Sequence, residues 1–324
     1  MIRKFQENVS LSAFTNYKIG GPARFFFEAK NETDVYWALG EAKSRKIPIF
    51  VLGGGTNLLM PDKGFRGLVL KITINRVIAT QNIIAAGAGT SMANLTNFSA
   101  KHSLAGLDWA GGLPGSLGGA IRGNAGCFGG EMKDSITAVQ SIDMKTLRII
   151  RRNAVQCHFG YRTSIFKQRP GEIILSAELR MKKGSSRKIA SSLREKKAWR
   201  KSHHPLEYPS AGSVFKNVPL VDIFSARSKE YRAALKDLKV TYRGSSFSVK
   251  TDPVPVIAAA KLIGECGLAG LRHGGAEIST KHTNFIVNAR GATARDILFL
   301  IARAKKKVLS KFGVQLEEEI QIVA

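Results

Sequence analysis

Two glycine-dense runs restrict what this chain can fold into more than any other feature. The first is Val51-Leu52-Gly53-Gly54-Gly55-Thr56-Asn57-Leu58-Leu59, and the second extends from Gly111 to Gly126 with Gly112, Gly115, Gly118, Gly119 and Gly123 inside it. Each interior glycine costs an ordinary helix or strand about 0.5–1 kcal/mol relative to alanine, so both runs read as loops. The apolar residues 47–52 predict a buried strand that delivers the first loop. Its successive peptide N–H groups can converge into one nest that fits a diphosphate. The first run fits neither the G-x-G-x-x-G nor the Walker pattern, so a tight turn without a ligand remains its alternative. A flexible linker is the alternative for the second, although Leu113, Leu117, Ala120 and Ile121 interleave with its glycines as in a packed loop. Two nests in one chain suggest a long anionic ligand.

The 324 residues are enough for two or three packed units, and 44% hydrophobic with 23% charged residues is the composition of a folded soluble protein. No apolar stretch approaches the ~20 residues of a membrane span, and the first residues lack a signal-peptide core. A cytoplasmic protein is expected. Cys127, Cys157 and Cys266 form no C-x-x-C pair, so neither a metal site nor a redox disulfide is expected. The net charge of +26 favours anionic partners: nucleic acid, a multiply charged small substrate, or simply the setting of a basic proteome. No nucleic-acid-binding module is visible, and the cations do not gather on one tail with interleaved aromatics.

Short apolar runs at 23–29, 47–52, 68–72, 83–86, 138–143 and 173–181 predict strands, with helices over 32–46 and 91–102. This is an α+β unit. The polar stretch 182–188 marks a boundary near 184, giving a first domain over 1–183, with subdomains of about 1–70 and 71–183, and a second over 184–324. In the second, Pro255 is placed to open a helix, another helix is expected over 294–312 ending at Gly313, and strands are expected over 284–288 and 319–323.

Arg162, beside Tyr161 in a turn, is of the type that clamps a carboxylate bidentately, although a surface cation is the plainer reading. Ser213 in Ala211-Gly212-Ser213-Val214-Phe215-Lys216-Asn217 presents a hydroxyl from a small-residue turn, and an ordinary N-cap is its alternative. Among Glu317, Glu318 and Glu319, the last adjoins the apolar residue that opens the closing strand.

Taken in order, these segments resemble the UDP-N-acetylenolpyruvoylglucosamine reductase family over nearly the whole chain. The resemblance rests on 16–23, 53–59, 112–119, 124–126, 161–166, 211–217, 274–277 and 316–320. About fifty residues separate Arg162 from Ser213, leaving no room for an extra tyrosine-bearing loop, so the chain is similar to the shorter branch. The region 219–254 is an added charged segment.

The resemblance implies a two-part FAD-binding domain of the vanillyl-alcohol-oxidase type, followed by an α+β substrate domain that closes over the flavin. It implies NADPH as co-substrate, a UDP-sugar as substrate, a role in peptidoglycan synthesis and a monomeric enzyme. Gly53, Gly54, Gly55, Thr56, Asn57, Leu58, Gly115, Ser116, Gly119, Asn124, Gly126 and Tyr161 would contact FAD. Hydride addition to the vinyl methylene leaves negative charge on the substrate. Arg162 and Glu319 would stabilise that charge and Ser213 would deliver the final proton. Glu319 would need to be protonated, through burial or the substrate's own charge. Lys216, Asn217, Arg200, His203 and His282 are the expected substrate contacts. An FAD oxidase of the same fold, with Cys127 as the nearby candidate for a flavin tether, and a basic nucleic-acid-binding protein are the competing readings.

Overall fold

The computed structural model describes residues 3–251 and 254–323. The charged segment expected over 219–254 includes residues 252 and 253, which lie outside the described residues. The chain divides into two compact units. Among the described residues, the first comprises 3–10, 22–55 and 64–202, and the second comprises 11–21, 56–63, 203–251 and 254–323.

The first unit contains two larger sheets. Strands Gln6–Ser10, Pro22–Ala29, Phe65–Ile72 and Ile49–Leu52 form one, with Phe65–Ile72 parallel to both of its neighbours. The other is antiparallel, in the order Ile149–Asn153, Ile136–Asp143, Glu172–Arg180, Ile83–Gly87, Val77–Thr80. Helices Glu32–Ser44 and Met92–Lys101 begin where Asn31 and Ser91 accept the amide N–H three residues on. Buried Val35, Leu39, Leu68, Leu70, Ile84, Leu95, Val139, Leu175 and Leu179 belong to one continuous core.

Two expectations change here. The second glycine-rich run contains a short helix, Leu117–Arg122, because Ser116 caps it and Leu117, Ala120 and Ile121 are buried along it. That packing offsets the cost of Gly118 and Gly119. The expected boundary near 184 also falls inside the first unit. Helix Ser186–His203 packs Ile189 and Leu193 against Ala100 and Ala105, and Gly111 lacks the side chain that would collide with the Leu193 carbonyl.

In the second unit, helix Ala294–Phe312 is anchored by buried Ile297, Leu300, Ile301, Ala304 and Val308. It ends at Gly313 in the left-handed conformation (φ 69°), as the sequence predicts. Pro255 does not open a helix. It lies in strand Pro255–Ile257, which buries Val256 and Ile257 and pairs with Ser245–Thr251, and the helix begins only at Ala259. The added segment supplies helix Lys229–Asp237 and the hairpin Lys239–Tyr242/Ser245–Thr251, whose Phe247 and Val249 enter the core of this unit. Residues 11–21 join the same core through Tyr17 and Ile19, and Asn288 donates its side-chain N–H to the Tyr17 carbonyl at 2.9 Å. The closing strand is shorter than expected: only Gln321–Ile322 pairs, in parallel, with Leu58–Leu59.

Candidate active site

In the first unit the two glycine runs touch through their backbones. A Cβ at Gly54 would lie 2.7 Å from the Gly115 Cα and 2.9 Å from the Ser116 nitrogen, and one at Gly53 would lie 2.7 Å from Ser116 Oγ. Gly55 has φ 66°, which bends the loop after the strand. Among the described residues the amides of Gly54 and Gly55 donate to no carbonyl, whereas those of Leu117 and Gly118 are taken by Thr90 and Ala88, both at 2.8 Å. Thr90 is 1% exposed and its hydroxyl has no hydrogen-bond partner among the described residues. Ser116 Oγ accepts from Gly119 at 3.4 Å.

Asn124, fully buried, joins this region to the Arg162 turn. Its amide donates to the Gly160 carbonyl and its oxygen accepts from the Lys133 N–H, both at 3.0 Å. Gly160 and Thr163 exchange backbone bonds of 3.0 and 3.2 Å, leaving Tyr161 and Arg162 at the tip. Arg162 adopts φ 53°, a conformation that disfavours a side chain by roughly 1–2 kcal/mol. The neighbouring contacts hold it there. Its guanidinium donates to the Gly126 carbonyl at 3.0 Å and lies 5.1 Å from the Tyr161 ring centroid, while the Lys167 ammonium donates to the Arg162 carbonyl at 3.0 Å. A Cβ at Gly126 would come within 3.3 Å of Arg162 Nη1, so this glycine leaves room for the cation.

In the second unit the Ser213 segment and the C-terminal glutamates form a short antiparallel pairing. Phe215 lies opposite Glu318, Glu319 N–H donates to the Val214 carbonyl at 2.8 Å, and Lys216 N–H donates to the Glu317 carbonyl at 2.9 Å. Asn284, 3% exposed, clamps the segment by accepting from Phe215 N–H and donating to the Phe215 carbonyl. Asn57 donates to the Glu319 carbonyl at 3.1 Å. Glu317 binds Lys216, and Glu318 binds Lys305 at 2.8 Å.

The expected residues therefore divide between the units. Gly53, Gly54, Gly55, Gly115, Ser116, Gly119, Asn124, Gly126, Tyr161 and Arg162 fall in the first, whereas Thr56, Asn57, Leu58, Ser213, Lys216 and Glu319 fall in the second. No helix begins directly after Ser213, so it is not an N-cap. Asn217 is a helix cap, accepting from Ala259 N–H at 3.2 Å. Arg200 ties helix Ser186–His203 to the second glycine run, donating to the Gly111 carbonyl at 3.0 Å and to Cys127 Sγ at 2.9 Å. His203 is exposed at the end of that helix. His282 packs in an aromatic cluster with His204 and Phe285, where burial lowers its pKa.

Sequence reasoning missed Arg122, at the end of the short helix. Burial lowers its pKa. Its only sequence signal was a cation inside an otherwise apolar, glycine-rich run. Among the described residues there is no group of three or more metal-ligating side chains, and no helix is long and apolar enough to cross a membrane.

Residues 204–323 match the model for the C-terminal domain of UDP-N-acetylenolpyruvoylglucosamine reductase, and residues 23–149 match an FAD-binding domain. The chain is 36% identical to the UDP-N-acetylenolpyruvoylglucosamine reductase of Caldanaerobacter subterraneus subsp. tengcongensis over 99% of its length and 94% of that protein. It is 35% identical to the Clostridium tetani reductase, over 98% of this chain and 91% of the relative. Among solved structures, the reductase from Thermus caldophilus superposes with a TM-score of 0.73 at 28% identity, covering 99% of this chain and all of that one.

Proposed function

Since the chain belongs to the UDP-N-acetylenolpyruvoylglucosamine reductase family, we propose that it reduces the enolpyruvyl ether of UDP-N-acetylglucosamine to UDP-N-acetylmuramate, with FAD bound and NADPH as reductant. The observation that carries this reading is the pairing that sets Ser213 and Glu319 on adjoining backbone, in a chain that also carries a glycine cradle.

The first unit fits the FAD assignment. Side chains at Gly53 or Gly54 would collide with the opposing run, the Gly54 and Gly55 amides lack carbonyl acceptors among the described residues, and the Thr90 hydroxyl is buried without one. We assign FAD contacts to Gly53, Gly54, Gly55, Gly115, Ser116, Gly119, Asn124, Gly126 and Tyr161, with Thr56, Asn57 and Leu58 continuing the first loop. Bound FAD supplies hydride transfer from NADPH to the substrate.

The substrate gains a hydride at its methylene carbon and a proton at the adjacent carbon. Between these events the negative charge spreads into the carboxylate. Arg162, held by Gly126 and Tyr161, is the cation assigned to that charge, and its planar fork suits a carboxylate. Glu319, in its protonated form, donates a further hydrogen bond to the same charge. Ser213 delivers the proton, and Lys216, three residues on, is a local cation that can polarise it. We further assign the enzyme to the cytoplasm as a monomer, supplying precursor for the wall and hence for cell shape and division.

Anaerobic absorption spectra provide the test. NADPH should bleach the bound flavin, and the enolpyruvyl nucleotide sugar should restore its colour. A bleached flavin that this compound does not reoxidise would reject the substrate assignment.

A further inference from the structure

We propose that Glu317 sets the affinity of this site for its anionic substrate by holding the Lys216 ammonium as a displaceable counter-ion. The inference rests on the reductase reading and assigns a role to a residue that this reading leaves unused. Lys216 lies three residues from Ser213, and its backbone is bonded to Glu317 directly beside the bond that fixes Glu319. Its side chain is only 16% exposed, whereas that of Glu317 is 72% exposed. The ammonium is thus the inner partner and the carboxylate the outer one.

An incoming carboxylate or diphosphate oxygen can replace the Glu317 carboxylate on Lys216 without leaving the cation uncompensated. The exchange is inexpensive because ion pairs with so exposed a partner are weak. The free carboxylate swings into water. Until then it keeps small monoanions off the ammonium. Glu318 provides an internal comparison, because it carries the same charge one residue away and is bound to Lys305.

The experiment measures the Kd of the FAD-loaded enzyme for the enolpyruvyl UDP-sugar by perturbation of the flavin spectrum, with inorganic phosphate as competitor. Glu317→Gln should lower Kd about three- to fivefold and strengthen phosphate competition, and added salt should shrink the difference. Lys216→Met should raise Kd, and adding Glu317→Gln to Lys216→Met should change it little. The Glu318→Gln enzyme should bind as the parent does. An unchanged Kd in Glu317→Gln, an equal gain in Glu318→Gln, or an undiminished gain in the Lys216→Met background would overturn the proposal. If the parent enzyme neither binds this compound nor has its reduced flavin reoxidised by it, the reductase reading itself fails.

Discussion

The amide of Glu319 donates to the carbonyl of Val214 at 2.8 Å, so the glutamate and the residue next to Ser213 are fixed to each other through the main chain. This bond does not depend on the side chain of Ser213 or of Glu319. Ser213→Ala and Glu319→Gln should therefore leave the fold and FAD content intact. Each should slow reoxidation of the reduced flavin by substrate by about 10²–10³-fold, the range for losing one donor to a developing charge. Reduction by NADPH should be unaffected. Stopped-flow absorbance separates the two half-reactions. A slow Glu317→Gln at saturating substrate beside a normal Glu319→Gln would reverse the assignment.

Gly54→Ala tests the cradle. The added methyl would lie 2.7 Å from the Gly115 Cα, a backbone atom that cannot rotate away. The two glycine runs must separate, and the purified protein should lose most of its flavin. The ratio of visible to ultraviolet absorbance reports this directly. Full flavin content in Gly54→Ala would show that the two runs do not hold the cofactor between them.

Asn124 carries a conformational and a hydrogen-bonding load together. Removing its side chain orphans the Lys133 amide, at a cost of about 1–3 kcal/mol, and takes one of two donors from the Gly160 carbonyl, which keeps the Thr163 N–H. Its φ of 43° adds strain for alanine that glycine does not feel. Urea denaturation should rank the parent above Asn124→Gly and Asn124→Gly above Asn124→Ala, with about 1 kcal/mol between the two variants. Equal stability of the two variants would deny the backbone strain.

Acid stability should depend on Glu172. Burial pushes its carboxyl group up, but hydrogen bonds from Arg152 and from Ser141 Oγ (2.7 Å) outweigh this and hold it below its ordinary value of 4.5. The resulting stabilisation is present above pH 4.5 and is lost as pH falls through the lower folded-state value. Glu172→Gln should consequently melt below the parent at neutral pH, and the gap should close on acidification below about 4.5. A gap that widens instead would contradict the sign of the shift.

Much of this architecture was legible in sequence where side-chain pattern and backbone geometry agree. The helix closed by Gly313, the helices expected over 32–46 and 91–102 and the strands expected over 68–72 and 173–181 follow from periodicity and turn signals, and they stand at Ala294–Phe312, Glu32–Ser44, Met92–Lys101, Phe65–Ile72 and Glu172–Arg180. The short helix after Ser116 was hidden because two of its six residues are glycines, and burial of Leu117 and Ile121 overrides their propensity. Pro255 misled because proline suits both a first helical turn and the first residue of a strand, and buried Val256 and Ile257 decide for the strand. In the site, the residue types at Arg162, Ser213 and Glu319 were readable. The left-handed backbone of Arg162 and the tie of Asn57 to Glu319 were not, because one is a dihedral angle and the other joins residues 262 positions apart.

That last tie bears on how the chain is made. Leu58 and Leu59 find their strand partners only at Gln321 and Ile322, and residues 11–21 and 56–63 belong to a unit whose bulk begins at 203. During synthesis at about 5–20 residues per second, these two segments emerge early and wait roughly 10–50 s for the rest of their unit. The second unit cannot be completed on the ribosome until the chain is nearly finished, and neither unit can be released from the other by a single proteolytic cut.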